Sequence, residues 1–171
     1  WMMNASFTYQ VHTVHFGERG YLDPTNIDVL EGSRYNWLGS DWIVKLSFLY
    51  QLPWGLNFSG FANARQGYVR KRGIIVPAPE KAKVGGGAIG AIYTEKPGTT
   101  RLPNFYNMDV SLTKEIRLDQ YGIVSLSIDA FNVFNFGHTL GRFNRINSER
   151  YDEITKILNP RVIRLGIRYR F

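Results

Sequence analysis

Between residues 42 and 52 every second side chain is apolar, with Trp42, Val44, Leu46, Phe48 and Tyr50 interleaving with Ile43, Lys45, Ser47, Leu49 and Gln51. A period of two is that of a β-strand with one apolar face, and it recurs in five more segments. In 1–11 the apolar set is Met3, Ala5, Phe7, Tyr9 and Val11; in 56–66 it is Leu56, Phe58, Gly60, Ala62 and Ala64. Further on it is Tyr106, Met108, Val110, Leu112 and Ile116, then Val124, Leu126, Ile128 and Ala130, and at the end Ile163, Leu165, Ile167, Tyr169 and Phe171. The opposed positions are mostly Asn, Ser, Thr, Asp and Arg. Only Lys114, close to one strand end, puts a charge in an apolar set, and a side chain of that length can snorkel to an interface.

The connections divide into two kinds. Pro53–Gly55 and 118–121 read as tight turns, whereas 12–41, 67–104 and 136–160 are long and rich in Gly, Pro, Asn and charge. Long structureless loops are uncommon in compact soluble domains. Short turns at one end and long loops at the other are the habit of outer-membrane barrels, where alternate residues face lipid. A soluble antiparallel sandwich would also alternate, because its two apolar faces meet, but it does not account for the asymmetry. Within the loop after the third strand, 73–77 and 88–94 read as extended pieces.

Composition bounds the remaining classes. With ten Tyr, eleven Phe, four Trp and seventeen Gly the balance favours β-structure. No apolar run approaches the length of a membrane-spanning helix. There is no cysteine, so neither disulfides nor thiolate metal sites arise. The formal charge of +7 is scattered: 12–41 carries two bases against five acids, 67–104 seven against two, 136–160 four against three, and the last eleven residues four bases alone. No single basic face emerges, so nucleic acid is not expected as a partner. The start at Trp1, already in strand pattern and without a signal core, suggests a targeting segment upstream.

Reactive constellations are sparse. His12 and His15, with His138 the only histidines, are spaced three apart with no acidic or thiol support, and surface loop histidines are the preferred reading over a metal pair. No Ser/His/acid combination stands at a strand end, so neither enzyme activity nor a cofactor is expected. Arg70-Lys71-Arg72 could grip an anionic ligand or lipopolysaccharide phosphates, although a solvated basic loop is the preferred reading. Asn132 and Asn135 suit the turn from a strand into its loop. Trp42, Tyr50, Trp54, Tyr121, Tyr169 and Phe171 fit an interfacial aromatic girdle, against ordinary core packing.

Four stretches carry a resemblance: SRYNWLGSDWIVKLSFLYQLPWGLNFSGFANARQGYV, RLPNFYNMDVSLTKEIRL, VSLSIDAFNVFNF and NPRVIRLGIRYRF. From about residue 33 to the end they resemble the Oar-like group of TonB-dependent outer-membrane receptors. The resemblance implies an all-β fold, an antiparallel up-and-down transmembrane barrel of 22 strands plugged by an N-terminal domain. Residues 1–171 would be its last six strands, with the plug and the TonB-contacting region upstream. It further implies residence in the outer membrane of a Gram-negative-type bacterium, contact with lipid and lipopolysaccharide, and recognition of the Phe171-terminated last strand by the barrel assembly machinery. The function it implies is TonB-energised uptake of a scarce solute; the alternatives are a passive porin or structural barrel and a soluble β-rich binding module.

On the polar side of such a wall, alternation groups Asp109, Glu115 and Asp129 with Arg164, Arg168 and Arg170. The reading places Asp109 near Asp129, Asp129 near Arg164, and Glu115 near Ser125 and then Arg170, as an ion-pair ladder.

Overall fold

A computed structural model describes residues 1–11, 39–77, 88–95 and 98–171, with only the backbone of 76, 77 and 88–93. The described residues form strands β1 (Met2–Tyr9), β2 (Trp42–Leu52), β3 (Leu56–Arg65), β4 (Gly73–Pro77), β5 (Ala88–Tyr93), β6 (Phe105–Arg117), β7 (Ile123–Phe131), β8 (Thr139–Arg142), β9 (Ile154–Ile157) and β10 (Val162–Arg170). All pairing between strands is antiparallel, and the fold is all-β. The six alternating segments form one sheet in the order β1-β2-β3-β6-β7-β10, each strand beside its predecessor among the six.

Register aligns the apolar sets into continuous rows. Met3 pairs with Phe48, Phe48 with Gly60, Gly60 with Val110, Val110 with Ala130, and Ala130 with Ile163. A second row runs Tyr50, Phe58, Leu112, Ile128, Leu165, and a third Leu52, Leu56, Lys114, Leu126, Ile167. A slip of one residue in any strand would exchange its faces; none has slipped. Within the first row a Cβ on Gly60 would come within 2.6 Å of the Phe48 ring, so the ring lies over the glycine and fills the space a side chain would take.

The β2–β3 turn is Pro53–Gly55, in which Trp54 adopts φ 62° and Gly55 φ 73°. The β6–β7 connection contains a 3-10 turn, Asp119–Tyr121, and closes on Gly122 at φ 105°. A Cβ on Gly122 would stand 2.3 Å from the Arg170 carbonyl oxygen, so glycine is required there both by conformation and by the approach of β10.

Among the described residues no hydrophobic side chain is buried. Phe7 is 68% exposed, Leu165 75% and Ile167 80%. The apolar face is therefore bare, where a soluble sheet or sandwich would cover it with a second layer. The opposite face is concave: Met2 and Arg164, from the two edges of the sheet, line one cavity of about 460 Å³ with Ser111 and Asp129. A flat sheet would hold its first and sixth strands about 24 Å apart, so the sheet curls toward its polar side. The edges β1 and β10 do not pair with each other.

The long connections carry structure of their own. The extended pieces 73–77 and 88–94 appear as β4 and β5, paired as a hairpin. The last long loop contains a hairpin, β8–β9, whose two strands have four residues each and a broken register; alternation over so few residues is too short to announce it. His12 and His15 lie outside the described residues, as does most of the 12–41 connection.

Candidate functional site

The polar face centres on Asp129. Its carboxylate accepts from Ser111 Oγ at 2.6 Å through Oδ1, and from Arg164 Nε and Nη2 at 3.0 and 2.9 Å through Oδ2. Three adjacent strands, β6, β7 and β10, are thereby joined by one half-buried carboxylate whose partner arginine is largely exposed. The expected Asp129–Arg164 pairing is present.

The rest of the expected ladder is not. Ser111, not Asp109, stands opposite Asp129. Asp109 lies two residues nearer the loop end, where its Oδ1 accepts the Asn132 backbone N–H at 2.8 Å and the Asn107 amide at 3.0 Å. Glu115 does face Ser125, but the next residue across is Arg168, and Arg170 pairs with Ile123. With Arg164 opposite Asp129, antiparallel counting leaves no other outcome. Among the described residues neither Arg168 nor Arg170 meets a carboxylate, so the ladder has a single rung. Glu115, Arg168 and Arg164 nonetheless line a second polar concavity, of about 510 Å³, with Ser125 and Ser127.

Asn132 is one of the few buried polar residues and adopts φ 51°. Its Nδ2 donates to the Phe136 and Asn159 carbonyls at 3.0 and 2.8 Å, and its Oδ1 accepts the Phe136 N–H at 2.9 Å. Asn135, at φ 55°, accepts the Arg161 N–H at 2.9 Å. Both asparagines occupy left-handed turn positions that their short amides tolerate, and together they fasten the exit of β7 to the entry of β10.

At the loop end the charges are paired between loops. Arg72 meets Glu95 side-on, Nε to Oε1 at 2.7 Å and Nη2 to Oε2 at 2.5 Å, and its Nη1 donates to the Tyr151 hydroxyl at 3.1 Å. The Arg72 hydrogen bonds hold the Glu95 carboxyl below the usual carboxylate range, with Thr100 contributing. Arg70, nine-tenths buried, places Nη1 2.7 Å from Asp152 Oδ1 and donates from Nε to Asn144 Oδ1 at 3.1 Å. Arg142 reaches the same carboxylate, Nη1 to Oδ2 at 2.8 Å. Hydrogen bonding from Arg70, with the nearby Arg142 charge, lowers the Asp152 carboxyl likewise. Thus Arg70 and Arg72 of the basic triplet tie the 67–104 connection to the 136–160 connection. Lys71 lies between them and is also engaged. Backbone bonds reinforce the joint, Ile146 N–H to the Gly73 carbonyl at 2.9 Å and Gly73 N–H to the Asn144 carbonyl at 3.2 Å.

A clamp that sequence reading missed lies below this joint. Arg101 donates to Asp41 Oδ1 at 3.0 Å, to the Gly67 carbonyl at 3.1 Å and to the Gly39 carbonyl. Sixty residues separate Arg101 from Asp41, and no local pattern marks such a pair.

The aromatic set falls at both ends of the sheet. Trp54, 81% exposed, Tyr121, Tyr169 and Phe171 gather at the turn end with Tyr50. The Tyr169 hydroxyl donates to the Tyr121 carbonyl, and its ring lies 5.9 Å from that of Phe171. Trp42 is at the loop end, paired with Tyr9. Between these ends β2 runs 11 residues, or about 37 Å along the strand; at a barrel tilt of ~45° that gives about 26 Å of height, close to the apolar band of an outer-membrane barrel.

Among the described residues no group of three or more His, Cys, Asp or Glu is placed to hold a metal ion. Among the described residues no helix is long and apolar enough to cross a membrane either, which leaves strand-crossing untouched. No family model, curated protein or solved structure matches the chain.

Proposed function

We propose that this chain forms barrel wall and extracellular loops of a TonB-dependent receptor in the outer membrane, taking up a scarce solute with energy delivered from the inner membrane. The observation that carries the membrane reading is the curled meander whose convex face is apolar in every strand and uncovered, while its concave face holds Asp129, Arg164 and the hydroxyl side chains. In water such a face would drive association; in lipid it is matched to its solvent, and a charge at mid-height would cost about 2–4 kcal/mol. The two unpaired edges suit continuation into further strands, because an open edge is not tolerated in a bilayer. Curling toward the polar face is the sense a barrel wall needs, and the radius is set by the number of strands that complete the ring. The TonB-dependent class rests on the sequence resemblance over residues 33–171. In that reading the assembly machinery recognises β10 and Phe171, and lipopolysaccharide surrounds the outer half of the wall.

Fractionation tests this. The full-length protein is expected in the outer membrane, migrating differently in gels before and after boiling, and bound by the periplasmic domain of TonB through the region before Trp1. Recovery in the soluble fraction contradicts the barrel; outer-membrane recovery without TonB binding favours the passive porin.

A further inference from the structure

Two arginines at the loop joint share one carboxylate. Arg70 and Arg142 both address Asp152, whereas Arg72 is matched by Glu95 and Arg101 by Asp41. Among the described residues the Arg70–Arg142 pair is thus one negative charge short. The shortfall is chemically specific. Arg70 is nine-tenths buried and no protein group accepts from its Nη2, so its positive charge is only partly matched by the protein. Arg142 spends only Nη1, on the Asp152 carboxylate and carbonyl, both at 2.8 Å. Its Nε–Nη2 edge has no protein partner among the described residues. That is the edge with which Arg72 holds Glu95, and it matches the two oxygens of a carboxylate.

Both arginines line a cavity of about 330 Å³ whose other walls include Tyr68, Val69, Leu102 and Leu140. Its lining combines two guanidiniums with apolar side chains. We propose that this cavity binds a small organic solute through a single carboxylate, held side-on by the Nε–Nη2 edge of Arg142, with its apolar body against Leu102 and Leu140. Arg70 Nη2 is closed to water in this conformation, so Arg142, the more exposed of the two, makes the direct contact and Arg70 supplies positive potential from behind. A doubly charged phosphate is disfavoured, because the Arg70–Arg142 pair around Asp152 lacks one charge. The site stands on loop geometry alone; that it captures the transported solute rests on the uptake reading.

Calorimetry on the full-length protein in detergent, with benzoate as probe, tests the site without any transport step. Benzoate is expected to bind at least about tenfold more tightly than benzamide, its neutral counterpart, and more tightly than phenyl phosphate. Arg142→Gln should weaken benzoate about tenfold while leaving benzamide unchanged. Leu140→Trp, which fills the cavity and touches neither arginine's charge, should abolish both and decides the matter if Arg142→Gln fails to fold. Equal binding of benzoate and benzamide, tighter binding of phenyl phosphate, or full benzoate binding by Leu140→Trp would overturn the proposal. Failure here with the protein still in the outer membrane leaves the barrel reading standing; the reverse result separates them equally well.

Discussion

The sheet and the loop joint are held together in opposite ways. In the sheet, order comes from backbone ladders between chain neighbours and from two faces of unlike polarity, and among the described residues a single ion pair, Arg164–Asp129, spans it. At the loop end, backbone pairing is short and broken, and arginines do the joining: Arg70, Arg72, Arg101 and Arg142 each reach a carboxylate on another segment or across a hairpin. A surface that must suit a fixed solvent can be written as a repeating pattern. A surface built from irregular loops needs particular pairs, and each pair can fail singly.

The sharpest way to break this contrast is to put a charge on each face of one strand. Leu112→Arg enters the row of Tyr50, Phe58 and Ile128, whereas Ser111→Arg enters the row of Ser59 and Asp129. Leu112→Arg is expected to cost about 2–4 kcal/mol and Ser111→Arg much less, read from urea unfolding in lipid vesicles. Equal losses would mean that the two faces meet the same solvent.

The turn end should be next in sensitivity. Gly122→Ala imposes a left-handed backbone on a residue with a Cβ and drives that Cβ to 2.3 Å from the Arg170 carbonyl oxygen. A loss of about 1–3 kcal/mol in the same unfolding assay is expected. A neutral outcome would show that β10 does not seat against this turn.

The loop joint, tied by ion pairs, should loosen in acid while the sheet, held mainly by backbone ladders, stays folded. Glu95 and Asp152 have carboxyls depressed by arginine. A depressed group contributes stability that is complete above its unfolded value, about 4, and is lost as pH falls from there through the folded value. Protease nicking within 136–160 is therefore expected to be slow at neutral pH and to rise below about pH 4, with the boiling-dependent gel shift retained. Nicking that begins near neutrality would point to another titrating group.

How much of this was legible in the sequence follows from the same contrast. Alternation is local, so the six strands and their faces could be read from residues such as Val44, Leu46 and Phe48 alone, and the tight turn at Pro53–Gly55 fixed where β2 meets β3. Alternation sets register only to within an even number of residues, which is why it misplaces Asp109 by two, whereas Arg168 opposite Ser125 follows by counting once Arg164 faces Asp129. The loop joint was illegible for a different reason. Arg70 and Asp152 are 82 positions apart, and the basic run Arg70-Lys71-Arg72 looks the same whether it faces water, a ligand or another loop. Only the fold distinguishes these, by burying Arg70 and aligning Arg72 with Glu95.

The central claim is that the convex face meets lipid. It is tested most directly by spin labels placed one at a time from Asn107 to Thr113 of the full-length protein in lipid vesicles, with collisions to oxygen and to a water-soluble nickel chelate compared. Labels at 108, 110 and 112 are expected to favour oxygen, and those at 107, 109, 111 and 113 to show little oxygen access, in strict alternation along β6. Alternation of the opposite phase, or equal access of both quenchers along the strand, would contradict the account.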